Sequence, residues 1–292
     1  MFGVGVGVGV GRQHFGSGVA PYVGLLDTYP NAAAAYSVRL LKSDYTGNAI
    51  RVRRSSDNAE QNIGFDGSGN LDTTALTSFC SGTNGFVTTW YDQSGNGVDL
   101  VQTTAINQPT IVTSGVVSTT NSRPSIDFSS HFLRSVSNYS VNQLLSTFAI
   151  LYPTAAGTSP GADIFGQYFA PFAPYNIWSV ETYNTNKFSA SYSDGSAWNT
   201  PQLNSYTNNV QYQITTIYDS TVITERLDGA NQLTATRSGS FNTTASPYFI
   251  GAWPADIVPN AFTGTIQEVI IYPAIQNSTN IAAIETNELT YF

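Results

Sequence analysis

Trp90-Tyr91-Asp92-Gln93-Ser94-Gly95-Asn96-Gly97 ends a short apolar run, Phe86 to Tyr91, in a loop of oxygen-bearing side chains and glycines. The run has the composition of a strand, and the change to Asp, Ser, Asn and Gly marks a turn. Asp92 and Asn96 are spaced to hydrogen-bond the loop's own backbone and so hold that turn. Oxygens on alternate residues also suit a hard cation, which leaves calcium as a second reading for this loop and for Asp66-Gly-Ser68-Gly-Asn70-Leu-Asp72. Asp66, Asn70 and Asp72 are the candidate ligands there, although neither loop carries the bidentate Glu of an EF-hand.

Working outward, the chain alternates apolar and polar residues in short segments. Tyr45 to Arg53 precedes the loop; Thr110 to Val112, Ser125 to Phe128, Thr147 to Tyr152, Asn176 to Val180, Lys187 to Tyr192, Gln211 to Tyr218, Val222 to Leu227, Tyr248 to Gly251 and Gly264 to Tyr272 follow it. Gly, Pro, Asn and Asp punctuate them at the spacing of a β-sandwich. Ala32 to Arg39 reads as a short helical turn, and Leu71 to Phe79 as a helix starting near Asp72 or Thr73. Asp228-Gly229 suits a tight hairpin turn, because glycine accepts positive φ. Thr279 to Thr290 has helical spacing at Ile281, Ile284 and Leu289.

Composition agrees with an all-β chain. Apolar residues make up 41% of the 292 and charged ones 10%, with Tyr, Phe, Thr, Ser, Asn and Gly abundant, a mixture that favours pleated, half-buried surfaces. The formal net charge of −8 excludes a duplex-binding surface, which needs a broad cationic patch to displace counterions. No run reaches the ~20 apolar residues that cross a bilayer, and no cationic region followed by a leucine-rich core marks a signal peptide. Cys80 is the single cysteine, so no intrachain disulfide forms. Residues 1–30 are read as a separate arm in which Val4, Val6, Val8 and Val10 alternate with glycines, an anchor that becomes ordered against a neighbour or else a flexible tail. Residues 31–292 are read as one domain.

The segment from Ala35 to Gln108, with its WYDQSGNG core, resembles the amino-terminal part of the catalytic sandwich of fungal α-L-arabinofuranosidases, and resembles even more the copies of that module in structural proteins of tailed bacteriophages. The order Ile214 to Asp219, Arg226 to Gly229, Tyr248 to Gly251 and Phe262 to Tyr272 is similar to the closing strands of concanavalin A-like and laminin G-like domains. The two resemblances imply a concanavalin A-like β-sandwich, or jelly roll, with an extended glycine-rich N-terminal arm.

The enzyme resemblance also implies sites. A retaining glycosidase uses two carboxyl groups about 5 Å apart. In the arabinofuranosidases the nucleophilic Glu lies six residues after a Trp and four before a Phe-Ser pair; matching Trp178 and Phe188-Ser189 without a gap puts Asn184 at that place, and an amide cannot form the glycosyl ester. Glu181 serves only with a shifted register, and an odd shift reverses the face of a strand. Asp256 is the counterpart of the acid/base Asp, in a loop two residues longer. Asp163-Ile164 stands where the family has a cysteine pair in the sugar pocket, and Gly85 where it has the partner of Cys80, a loss that fits a reducing cytoplasm. Trp178, Asn184, Asp163, Trp253 and Asp256 are the expected sugar contacts. The expectation drawn from these exchanges is a phage virion structural protein, of head or tail, made in the bacterial cytoplasm. Its lectin-like domain would be non-catalytic and adhere to host or environmental glycan, anchored by residues 1–30 to a capsid or tail protein. A homo-oligomer is expected, with no cofactor unless calcium binds. The alternative is an arabinofuranosidase-like hydrolase or virion depolymerase using Glu181 and Asp256.

Overall fold

The computed structural model describes residues 22–158, 161–168, 176–194, 197–242, 244–252 and 261–292. The glycine-valine repeat lies outside them. Two antiparallel sheets face each other, as the alternating segments predict. The back sheet runs in the order Ala34–Ser37, Gly264–Tyr272, Leu145–Pro153, Tyr212–Tyr218, Val222–Leu227 and Asn231–Thr236. The front sheet runs Glu60–Ile63, Ile50–Arg54, Gly85–Trp90, Leu100–Val101, Leu133–Ser135, Tyr248–Ile250, Ala162–Tyr168, Asn176–Thr182, Lys187–Ser193 and Gln202–Ser205. They join at one margin, where Ile126–Asp127 pairs both with the back-sheet strand Gly264–Tyr272 and with Thr110–Thr113, the neighbour of Gly85–Trp90.

The apolar lanes of both sheets close on one core. Trp90 stacks on Phe128 with centroids 6.1 Å apart, and Trp178 packs against Phe165, Tyr218 and Tyr248. A second apolar layer lies outside the back sheet, where Phe148, Ile270 and Tyr272 are covered by Leu25, Leu26, Leu41, Ile281 and Ile284. Leu25 and Leu26 belong to a single helical turn, Leu25–Thr28, so residues assigned to the arm from sequence pack on the sandwich.

Ala34–Ser37 is a strand and not the helical turn its alanines predict. All four residues are buried, so the strand shows no polar lane, and period-two alternation is absent for that reason. What fixes it is the Asp92 loop. Asp92 Oδ1 accepts from Ala35 N and Ser94 N, each at 2.9 Å, and Oδ2 accepts from Ser94 Oγ and Val98 N. Gln93 Nε2 donates to the carbonyls of Ser37 and Arg39 while its Oε1 accepts from Leu41 N, and Asn96 Nδ2 donates to Ala32 O and Ala33 O. WYDQSGNG is therefore a clamp that pairs the backbone of residues 32–41, which has few strand partners of its own.

The hairpin turn forms as expected, with Asp228 at φ 50° and Gly229 at φ 70°. Helix Thr73–Phe79 is capped by Asp72, whose carboxylate accepts from Ala75 N. The C-terminal helix Ser278–Tyr291 buries Ile281, Ile284, Glu285 and Glu288, while Leu289 stays 45% exposed. The buried stripe thus continues at i+4 from Ile284 through a glutamate. Glu288 accepts from Gln213 Nε2 at 2.8 Å and neighbours Glu268, which Arg39 grips through Nε and Nη2 at 2.7 and 2.8 Å. Burial, then the Glu268 charge, raise the Glu288 carboxyl well above the usual range, against the lowering pull of Arg39. No helix among the described residues is long and apolar enough to cross a membrane.

Candidate functional site

Three neighbouring front-sheet strands, Ala162–Tyr168, Asn176–Thr182 and Lys187–Ser193, carry the site. Trp178, Val180, Phe188, Ala190 and Tyr192 turn into the core. Period two then sends Ser179, Glu181, Ser189 and Ser191 to the opposite face. Glu181 pairs across the strands with Ser189 on one side and Asp163 on the other. Ser179 Oγ donates to Glu181 Oε1 at 2.6 Å and Ser191 Oγ donates to Oε2 at 2.8 Å. The side chains of Tyr183 and Asp163 complete the shell.

Glu181 is only 2% exposed, and burial pushes its carboxyl up to about 7, against the hydroxyl and Asp163 hydrogen bonds that favour the charged form. The neighbouring Tyr183 hydroxyl is raised as well, first by burial and then by the Glu181 charge. Backbone geometry reserves the space. A Cβ at Gly161 would stand 2.2 Å from Glu181 Oε2 and 2.8 Å from Tyr183 Cε2, so only glycine lets the chain pass this close to the carboxylate. A carboxyl that ionises near neutrality, oriented by two hydroxyl donors, suits a nucleophile or proton carrier.

Asn184, the residue an ungapped match puts in the nucleophile's place, lies beyond the strand end and is exposed, its N–H donating to Thr158 O at 3.2 Å. Trp178 is inside the sandwich, its Nε1 donating to Gln167 Oε1 at 3.0 Å; its ring packs and does not reach the polar face. The odd offset from Trp178 is what puts Glu181 on that face. Asp163 sits there beside Glu181. Trp253 and Asp256 lie outside the described residues, yet the two ends of their loop are placed: Ala252 and Ala261 bridge each other, and Ala261 bridges Asp163. Ser179 and Ser191 were not singled out from sequence, although the polar lane of Ser179 and Glu181 facing Ser189 and Ser191 was a readable signal.

Another buried acid is placed differently. Burial also pushes Glu225 up to about 7, but it shares the core-facing lane of Ile223 and Leu227. Its Oε1 accepts from Asn204 N at 2.8 Å and its Oε2 has no partner. The calcium candidates are engaged elsewhere: Asp66 Oδ1 accepts from Ser68 N and Asn70 N, Asn70 Oδ1 from Tyr291 and Arg123, and Asp72 caps its helix. No cluster of metal-ligating side chains occurs among the described residues.

The catalytic family of α-L-arabinofuranosidase B matches residues 26–127. A probable α-L-arabinofuranosidase B of Aspergillus terreus is 40% identical over 93 residues, 30% of this chain and 18% of the relative. An α-L-arabinofuranosidase of Hypocrea jecorina is 42% identical over 73 residues, 25% of this chain and 15% of the relative. The crystal structure of an arabinofuranosidase complexed with arabinofuranosyl-α-1,2-xylobiose superposes with TM-score 0.66 at 16% identity, over 88% of this chain and 62% of that one. A family GH54 α-L-arabinofuranosidase soaked with a cyclic sulfate inhibitor gives 0.64 at 16% identity with the same coverage. The sequence matches span less than a fifth of those curated relatives. The family match holds the Asp92 clamp, and the structural likeness, over 88% of the chain, is one of fold. Similarity to the catalytic domain of the fungal enzymes is thus supported, and nothing points to a bacteriophage particle. The expectations of a virion structural protein, of a non-catalytic lectin-like domain and of a virion location are corrected accordingly: the matched family is a catalytic domain and the named relatives are fungal enzymes. Those expectations rested on the ungapped match, which puts Asn184, an exposed residue of the hairpin, in the nucleophile's place.

Proposed function

We propose that this chain is a glycoside hydrolase that releases α-L-arabinofuranosyl groups, with Glu181 as nucleophile and Asp256 as acid/base. The observation that carries the proposal is the buried Glu181 carboxyl held by Ser179 and Ser191 on the polar face of the front sheet. In the first step a Glu181 oxygen bonds to the anomeric carbon as the glycosidic C–O bond breaks, and Asp256 gives its proton to the leaving oxygen. In the second, Asp256 takes a proton from water, the water oxygen bonds to the anomeric carbon, and the ester to Glu181 breaks. The Ser179 and Ser191 hydroxyls aim the carboxylate; because they prefer its charged form, they also supply the anion that attack needs. The bridge from Ala261 to Asp163 sets Ala261 one strand from Glu181.

The test is turnover of 4-nitrophenyl α-L-arabinofuranoside. Wild type is expected to hydrolyse it, with kcat/KM rising with pH through about 7 as Glu181 loses its proton. Glu181→Gln is expected to lower turnover on the order of a thousandfold or more, and azide to restore activity to Glu181→Ala by taking the place of the carboxylate. Folded wild type without turnover overturns the assignment.

A further inference from the structure

Among the described residues every lysine and arginine but one has a hydrogen-bond or ion-pair partner. Arg39 holds Glu268, Lys42 holds Asp44, Arg51 holds Glu60, Arg54 holds Asp57 and Arg226 holds Glu285. Arg53, Arg123, Lys187 and Arg237 are bound to amide or carbonyl oxygens. Arg134 is exposed, and its guanidinium makes no hydrogen bond or ion pair with the described residues. It lines a cavity of about 470 Å³ together with Thr103, Asn107, Val136, Asn138 and Pro247.

The register places this cavity on the face that carries Glu181. Leu133 and Leu100 turn into the core, so Arg134 and Val101, paired across their strands, point the other way. Arg134 pairs with Phe249, Phe249 with Gly166, and Gly166 with Ser179, the hydroxyl that holds Glu181. Three strand spacings, about 14 Å, separate Arg134 from that hydroxyl, which leaves room for a few sugar units. A chain of net charge −8 repels acidic polymers at large, so an acidic group needs a local cation to settle here. A guanidinium fork matches a carboxylate in two parallel hydrogen bonds, and the amides of Asn107 and Asn138 beside it suit hydroxyls.

We propose that the Arg134 cavity is a subsite for the carboxylate of a uronic acid residue borne by the polysaccharide whose arabinofuranosyl group meets Glu181. This selects acidic, arabinosylated polymers over neutral ones, and it rests on the hydrolase assignment for the position of the cleaved sugar. The experiment measures, by isothermal titration with the full chain, binding of a xylo-oligosaccharide carrying one glucuronic acid branch and of its neutral counterpart of equal length. Wild type is expected to bind the acidic ligand more tightly, Arg134→Gln to lose about tenfold on that ligand and nothing on the neutral one, and Arg134→Lys to fall between. The exposed, unpartnered side chain makes an unchanged melting temperature the accompanying expectation, and kcat/KM on the aryl arabinofuranoside is expected to stay at the wild-type value. Equal binding of both ligands by wild type, no binding of either, or an acidic preference that survives Arg134→Gln overturns the subsite. Acidic preference without any arabinofuranoside turnover overturns only the hydrolase assignment, and turnover without the preference overturns only the subsite.

Discussion

Glu225→Gln isolates the energetic cost of a buried acid that the proposed chemistry does not use. Glu225 is fully buried, faces Lys187 and the Tyr218 hydroxyl, and rises from the ordinary 4.5 to about 7 because burial disfavours its charge. A raised folded value means that the native state holds the proton more tightly than the unfolded chain does. The linked stability is complete below about pH 4.5 and is lost as pH rises through about 7. The displacement corresponds to about 3 kcal/mol, at ~1.4 kcal/mol per tenfold change in proton affinity. Glutamine copies the shape of the neutral acid and keeps the acceptor for Asn204 N, but cannot ionise. Urea denaturation at pH 4.5 and at pH 8 on both proteins gives the comparison. Wild type should lose about 3 kcal/mol more than Glu225→Gln between the two, the titrations common to both cancelling. Parallel pH dependence in the two proteins would refute the reasoning, since Glu225 would then ionise alike folded and unfolded.

Gly161→Ala drives a methyl into Glu181 Oε2; turnover of the aryl arabinofuranoside should fall about a hundredfold, the scale of a misplacement of roughly 1 Å, and unaltered kcat would count against the carboxylate's role. Asp92→Ala leaves the N–H groups of Ala35 and Val98 without their acceptor, for a loss of about 4 kcal/mol at roughly 2 each, read as a lower urea midpoint with unchanged slope. Arg39→Met strips the cation from buried Glu268 and Glu288 and should cost about 3–5 kcal/mol in the same assay.

Much of the sandwich is legible in the sequence, because segments such as Leu145–Pro153 and Gly264–Tyr272 have the apolar content and turn boundaries of strands. What escapes has specific causes. Ala162–Tyr168 carries a bulge between Asp163 and Phe165 that breaks the period of two, and Asn231–Thr236 is almost wholly exposed, with no apolar lane to mark it. At the site, periodicity tells which residues share a face but not which face is the core. The ungapped match is counted to Asn184, from which Glu181, three residues earlier, falls on the opposite face of a strand; with Trp178 inside the sandwich, the odd offset from that ring sets Glu181 on the polar face. The isolation of Arg134 is invisible in sequence, since the partners that occupy the other cations can be as remote as Glu268 is from Arg39.

The back sheet orders its strands against the direction of synthesis. Leu145–Pro153 has Tyr212–Tyr218 on one side and Gly264–Tyr272 on the other, and Ala34–Ser37 meets only Gly264–Tyr272. A nascent chain emerging N-terminus first leaves one margin of its central strand unpaired until the last strand has left the ribosome. Such long-range closure is slow, and unpaired margins recruit other chains. Delayed completion of Gly264–Tyr272 is therefore the stage at which aggregation competes with folding, and heterologous production should respond to slower translation and lower temperature more than to changes at the surface.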